Sequence, residues 1–232
     1  MVNNALCIAH SNHNDLGRFP ATLSEIGFTH ERVNFLVGQK PLHGSDLYDG
    51  VVVFGGMDSL AQGLGKGYQP ELRFLESCIE HGVPIIGICL GGQLLSKIYG
   101  GAPTVKTAQR PEIGFCEIKP SAAAPQDLWN HRKFFQWHWD DMPCPAEGIN
   151  LGSTDEFECQ AFSVDKSLAL QFHPDATPTT VAAWMDLGEG TVTQHSEKSK
   201  AHHVEEAFRY ETAVQKWTAD LLRYWFGVET KT

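Results

Sequence analysis

The segment Pro84-Ile85-Ile86-Gly87-Ile88-Cys89-Leu90-Gly91-Gly92-Gln93 restricts the fold of this chain more than any other stretch. A short apolar run rich in β-branched residues ends on a cysteine, a glycine pair follows, and Gln93-Leu94-Leu95-Ser96-Lys97-Ile98-Tyr99 then reads as a helix. A strand that turns directly into a helix belongs to a strand-helix-strand architecture with parallel pairing. Glycines flank such a turn because its crowded backbone leaves no room for side chains. A thiol on the turn stands near the positive end of the helix, where a thiolate is favoured. A cysteine taken alone reads as a small core hydrophobe. Gly87, Gly91 and Gly92 around Cys89 argue instead for a nucleophile on an elbow.

The rest of the first half keeps the same rhythm. Residues 5–9 and 32–37 read as strands, and Gly50-Val51-Val52-Val53-Phe54 is a β-branched run of the kind buried on both faces. Residues 71–81 carry Leu72, Leu75, Cys78 and Ile79 at helical spacing and stop at Gly82, and residues 84–88 form the next strand. The predicted fold is α/β: a doubly wound, mostly parallel, flavodoxin-like central sheet with helices on both faces. The second half is richer in strands, at residues 113–119, 134–138, 149–153, 159–164 and 168–172, which predicts a small antiparallel section. Helices are expected at 179–187 and 204–226, with Gly188-Glu189-Gly190 as a break and residues 193–201 as a polar loop. With 232 residues, no repeat and no linker-like stretch, residues 1–232 read as a single domain.

Composition excludes several classes of function. The formal charge of -10 and the lack of a Lys/Arg cluster argue against a nucleic-acid partner. No apolar run approaches the roughly 20 residues that span a bilayer, and Met1-Val2-Asn3-Asn4 has no signal-peptide pattern. Six scattered cysteines without a CxxC pair suggest reduced thiols and a cytoplasmic protein. His10-Ser11-Asn12-His13 has no carboxylate cluster to make it a metal site, and reads as a polar loop after the first strand. Such a loop can line a site mouth, because ligands bind beyond the carboxyl ends of strands in open α/β sheets. His202-His203, in a charged stretch, reads as a solvated helix start. The tryptophans read mostly as core or pocket walls, with Trp217 and Trp225 as an alternative partner-facing pair. No metal or cofactor is expected.

A thiol needs a base. Among eleven histidines, His173 ends the expected strand 168–172 and is followed by Pro174 and Asp175. Pro174 stops the strand, and Asp175 can reach back to orient the imidazole, as in a triad. The third element is Phe54-Gly55-Gly56-Met57-Asp58. A glycine pair at the end of a neighbouring strand can aim the N–H of Gly56 at a developing oxyanion, with the amide of Leu90, just after the nucleophile, as second donor. No Gly-Lys-Ser/Thr follows, so a phosphate cradle is disfavoured.

Taken in order, Gly55-Gly56-Met57, Gly87-Ile88-Cys89-Leu90-Gly91-Gly92-Gln93 and His173-Pro174-Asp175 resemble the class I, or triad-type, glutamine amidotransferases. Glu112-Ile113-Gly114 and Trp137-His138-Trp139-Asp140 resemble further family features. The resemblance implies that Cys89 attacks a side-chain amide, that His173 shuttles the proton, and that Asp175 orients His173. It further implies that Gly56 and Leu90 hold the oxyanion and that Gly55, Gln93, Trp137, His138 and Trp139 help bind a small-molecule substrate, glutamine or a γ-glutamyl compound. Ammonia would pass to a separate synthetase or acceptor protein. The chain departs from the family at Asp175, where glutamate is usual, at Met57, where proline is frequent, and at Gly92, where histidine is frequent. The alternatives are a γ-glutamyl peptidase or hydrolase, and a non-catalytic module on the same scaffold. A ThiJ/PfpI-like relative fits less well, because Leu90 follows Cys89 where such proteins usually carry histidine.

Overall fold

The computed structural model of the chain describes residues 3–11, 16–103, 111–188, 195–196 and 198–228. In chain order its elements are β1 (Asn3–Ile8), α1 (Phe19–Glu25), β2 (Phe28–Val33), β3 (Gly50–Val53), α2 (Gln69–Glu80), β4 (Ile85–Ile88), α3 (Leu90–Ile98), β5 (Glu112–Glu117), β6 (Lys119–Pro120), β7 (Lys133–His138), β8 (Ile149–Ser153), β9 (Ala161–Val164), β10 (Ser167–Leu170), α4 (Pro178–Leu187) and α5 (Lys200–Trp225). The main sheet has the order β2-β1-β3-β4-β10-β9-β8-β6. From β2 to β10 the strands run parallel. From β10 outward through β9 and β8 to β6 they alternate in direction. A separate antiparallel ribbon joins β5 to β7. The mostly parallel sheet and the added antiparallel section therefore match the predicted fold class.

The two-sided burial of the central strands follows from their composition. β3, β4 and β10 are buried along their whole length. Leu6, Ile8, Val51, Val53 and Ile85 pack on one face against Leu72 and Leu75 of α2 and Leu90, Leu94 and Leu95 of α3. Ala5, Cys7, Val52, Ile86 and Ile88 pack on the other against Phe19 and Leu23 of α1 and Val214, Trp217 and Leu221 of α5. Successive side chains point to opposite faces, so one apolar run feeds both layers.

Several boundaries differ from the expectations. The second strand occupies Phe28–Val33, not 32–37. It is the sheet edge, and its centre, Thr29-His30-Glu31-Arg32, is polar and partly exposed, which hides it from an apolar pattern. Phe35–Val37 is a single 3-10 turn instead: the Asn34 side chain accepts from Leu36 N at 2.9 Å and Gly38 closes the turn at φ +79°. Helix α1 was not anticipated; it is short and starts with a proline in its first turn. The last helix begins at Lys200, inside the expected loop 193–201, where Ser199 Oγ accepts from His202 N at 3.3 Å. Residues 193, 194 and 197 of that expected loop, and the Glu189-Gly190 part of the expected break, lie outside the described residues.

His203 corrects the reading of His202-His203 as a solvated pair. Its side chain lies on the buried face of α5, with Ser196 Oγ 3.0 Å from Nε2, while His202 is exposed. Trp129 and Trp217 are core residues stacked edge-on at 6.0 Å. Trp225 is half-buried and donates from its indole to the carbonyls of Ile85 and Lys166, so neither α5 tryptophan forms an open partner face.

Candidate active site

The parallel strands place their carboxyl ends on one edge of the sheet. β1 leads to His10, β3 to Gly55 and Gly56, β4 to Cys89, and β10 to His173. Residues as far as 163 positions apart in sequence are thereby gathered over adjacent strand tips. This is where open α/β sheets bind ligands.

Cys89 sits between β4 and α3 with φ 52° and ψ -111°. A residue with a side chain in such a conformation stores on the order of 1–3 kcal/mol and persists only where its surroundings enforce it. The enforcement is visible. Cys89 N–H donates to Leu170 O at 2.7 Å, which ties the elbow to β10. A Cβ on Gly87 would lie 2.5 Å from Gly91 O, and one on Gly91 would lie 2.2 Å from Val53 O. A Cβ on Gly92 would lie 2.8 Å from Met142 Sδ. All three glycines are therefore required by close approach of backbone or side chain, as the sequence pattern suggests.

His173 lies beyond the end of β10, which stops at Leu170. It is held by an isolated bridge in which His173 N–H donates to Phe135 O at 2.8 Å. Its Nδ1 is 3.1 Å from Asp175 Oδ1, which leaves Nε2 for the hydrogen bond it shares with Cys89. Burial opposes a charge on His173, but Asp175 and Cys89 outweigh it and push the imidazole up to about 10. The aspartate, one methylene shorter than the glutamate usual in the family, still reaches the ring. Trp184 packs edge-on against His173 at 4.8 Å.

Gly55 sits where the side chains of Cys89 and His173 meet. A Cβ there would lie 2.9 Å from His173 Cε1 and 3.4 Å from Cys89 Cβ. Gly56 is equally confined, with Leu90 Cδ2 at 2.6 Å from its hypothetical Cβ. Leu90 opens α3, so its N–H has no partner within the helix. Met57, the next residue after Gly56, is 92% exposed.

The expected substrate-wall residues divide. Trp137 and Trp139 share one side of β7 and its extension and are half-buried. The Trp137 carbonyl accepts from Cys89 Sγ at 3.9 Å, and its indole lies against Gly188. His138, on the opposite side, is turned inward, with Nδ1 3.0 Å from Asp140 O and Nε2 3.1 Å from Glu112 Oε2. Gln93 is also buried, donating to Gln171 Oε1 at 3.1 Å. Both side chains are therefore buried and already paired with neighbours inside the protein. His13 lies outside the described residues. Among the described residues no group of three or more His, Cys, Asp or Glu side chains is placed to hold a metal.

A family model, Glutamine amidotransferase class-I, matches residues 23–185. This chain belongs to the class I glutamine amidotransferases. These are cysteine-dependent enzymes. Among curated relatives, the GMP synthase [glutamine-hydrolyzing] of Marinobacter nauticus is 30% identical over 143 residues, covering 56% of this chain and 26% of that protein. The Vibrio cholerae protein of the same name is 29% identical over 136 residues, covering 56% and 25%. The chain thus spans about a quarter of the length of these relatives. In fold it is similar to a glutamine amidotransferase from Thermotoga maritima, with a TM-score of 0.86, 22% identity and coverage of 97% and 99% of the two chains. It is also similar to a glutamine amidotransferase from Methylobacillus flagellatus, with a TM-score of 0.85, 20% identity and coverage of 100% and 98%.

Within this amidotransferase, nothing in the sequence pointed to Arg18 at the site, and the sequence marked Glu112 without showing what that carboxylate bonds to. Arg18 Nε donates to Pro174 O at 2.9 Å, its Nη2 donates to Ala176 O, and its Nη1 donates to Glu211 Oε1 at 2.9 Å. It thereby fixes the backbone on both sides of Asp175. Glu112 joins His138 to Gln160, whose Nε2 donates to it at 2.6 Å. Arg18 stands 156 residues from Pro174, and no local pattern announces such a pair.

Proposed function

We propose that this chain hydrolyses the side-chain amide of glutamine, or of a closely related γ-glutamyl compound, through a thioester on Cys89. The observation that carries the reading is the convergence of Cys89, His173 and Asp175 at the tips of β4 and β10, beside the glycine pair at the tip of β3.

In this reading His173 takes the thiol proton through Nε2, and the thiolate forms a bond to the amide carbon. The N–H groups of Gly56 and Leu90 hold the oxyanion. His173 returns its proton to the departing nitrogen as the C–N bond breaks, releasing ammonia. Water then attacks the thioester with His173 as base, glutamate leaves, and the proton returns to sulfur. Asp175 keeps Nδ1–H directed and favours the imidazolium throughout. Trp137 and Trp139 flank the substrate, with Gln93 and His138 bracing the layer behind them.

Ammonia passes to an acceptor-activating partner protein. Met57 and Leu187, 92% and 85% exposed, support a docking rim: one follows Gly56, and the other precedes Gly188, which packs on Trp137. No helix among the described residues is long and apolar enough to cross a membrane. The six free cysteines support a reducing, cytoplasmic setting. The test is glutamate release from glutamine and from γ-glutamyl dipeptides side by side. Turnover of glutamine that rises when a partner is added is expected. Turnover of dipeptides alone would transfer the reading to a peptidase, and turnover of neither would overturn it.

A further inference from the structure

We propose that His10 and Glu71 are positioning residues for the oxyanion hole: together they grip the carbonyl of Gly55 and thereby aim the N–H of Gly56 at the oxygen where charge develops. This rests on the reading of Cys89 as an acyl-accepting nucleophile.

His10 follows β1, and β1 lies beside β3, so the imidazole sits directly under the loop that leaves β3. Its Nδ1 is 3.2 Å from Gly55 O, and its Nε2 is 2.9 Å from Glu71 Oε1 and 3.2 Å from Oε2. The side chains of His10 and Glu71 are only 1% and 0% accessible. A carbonyl and a carboxylate both accept, so the two contacts together favour the protonated, charged ring, which donates from both nitrogens. Burial opposes that charge, but the bonds to Glu71 and Gly55 prevail and raise the imidazole. Tyr68 packs on His10 at 5.6 Å and donates to Asp58 Oδ2 at 2.6 Å, which ties the far end of the same loop.

The geometry of one peptide unit links this pair to the site. No peptide among the described residues is cis. In a trans unit the carbonyl oxygen of one residue and the N–H of the next point to opposite sides. Holding Gly55 O on the His10 side therefore holds Gly56 N–H on the other side. Two successive glycines offer little resistance to a peptide flip. A flip would turn the carbonyl, not the amide, toward the forming oxyanion. Neither glycine accepts a side chain that might brace it, because a Cβ on Gly56 would lie 2.6 Å from Leu90 Cδ2 and 3.0 Å from His10 Cβ. The restraint must come from outside the loop. A buried ion pair adds little net stability, whereas a fixed peptide dipole is what an oxyanion hole requires.

The experiment compares two reactions of Cys89. p-Nitrophenyl acetate acylates it: the S–C bond forms through a tetrahedral oxyanion and the C–O bond breaks, releasing nitrophenolate. Iodoacetamide alkylates the same sulfur by displacing iodide and passes through no oxyanion. His10→Ala is expected to slow acylation by about tenfold to a hundredfold, short of the loss of a whole oxyanion donor, and to leave alkylation within about twofold. His10→Asn places an amide N–H where Nδ1–H stood and should restore most of the acylation rate. His10→Gln keeps the contact to Glu71 but not to Gly55, so it should behave like His10→Ala, and it serves if the alanine variant does not fold. With glutamine, kcat should fall while KM changes less than about threefold, the pattern of an interaction made only in the transition state. Acylation and alkylation falling together, or acylation unchanged in His10→Ala and His10→Gln, would overturn the proposal. If the unaltered protein is acylated by the ester but ignores glutamine, the substrate reading fails and the positioning role stands. If the ester never acylates Cys89, both fall.

Discussion

At the scale of single residues, the site is a set of groups whose charges burial opposes and whose neighbours restore them. His173 shows the balance most clearly, pushed up to about 10 by Asp175 and Cys89 against the cost of burial. In the unfolded chain its imidazole titrates near 6.5. A group whose folded value is raised contributes stability that is whole below about pH 6.5 and is lost as pH rises toward about 10. The unaltered protein should therefore lose stability relative to His173→Gln between pH 6 and 10, read as converging urea midpoints. A gap between the two that does not change with pH would contradict the assigned environment. Cys89, His173, Asp175, Gly55 and Gly56 were legible in the sequence because each belongs to a short local pattern. Arg18 and Glu71 were not, because their partners stand 156 and 61 residues away and only the fold brings them together.

At the scale of elements, the elbow depends on how closely α3 approaches the strands. Gly91 is the tightest point, with a hypothetical Cβ 2.2 Å from the Val53 carbonyl. Gly91→Ala should cost about 1–3 kcal/mol through overpacking and should lower activity further by displacing the Leu90 amide. A denaturation curve and a rate measured on the same sample check this, and an unchanged midpoint would show that α3 can move aside freely. Central strands such as β3 and β4 were readable because β-branched runs buried on both faces look alike wherever they occur. β2 was misplaced because an edge strand buries only part of itself and mixes polar with apolar residues. Helix α1 was missed because its seven residues give too few turns for a period to show. The start of α5 was hidden by charged residues, and only the cap at Ser199 marks it.

At the scale of the whole molecule, the topology turns four distant sequence patterns into one site. The order β2-β1-β3-β4-β10 sets the tips of β1, β3, β4 and β10 in a row, so a positioning pair, a glycine loop, a thiol and an imidazole meet at one edge. The β5-β7 ribbon walls the same edge through β7, where the Phe135 carbonyl accepts from His173 N–H and the Trp137 carbonyl accepts from Cys89 Sγ. The account stands on Cys89 reacting as the partner of His173 with a glutamine-like substrate. The direct measurement is labelling with a glutamine analogue that carries an electrophile at the side-chain amide carbon, followed by peptide mass spectrometry. The competing thiols are half-exposed: Cys116, pushed up to about 12 by burial, and Cys144, lowered by its hydrogen bond with Cys159. We predict a single adduct on Cys89 that is lost in His173→Ala; an adduct on Cys144 or Cys116 instead, or labelling of Cys89 that does not depend on His173, would contradict the account.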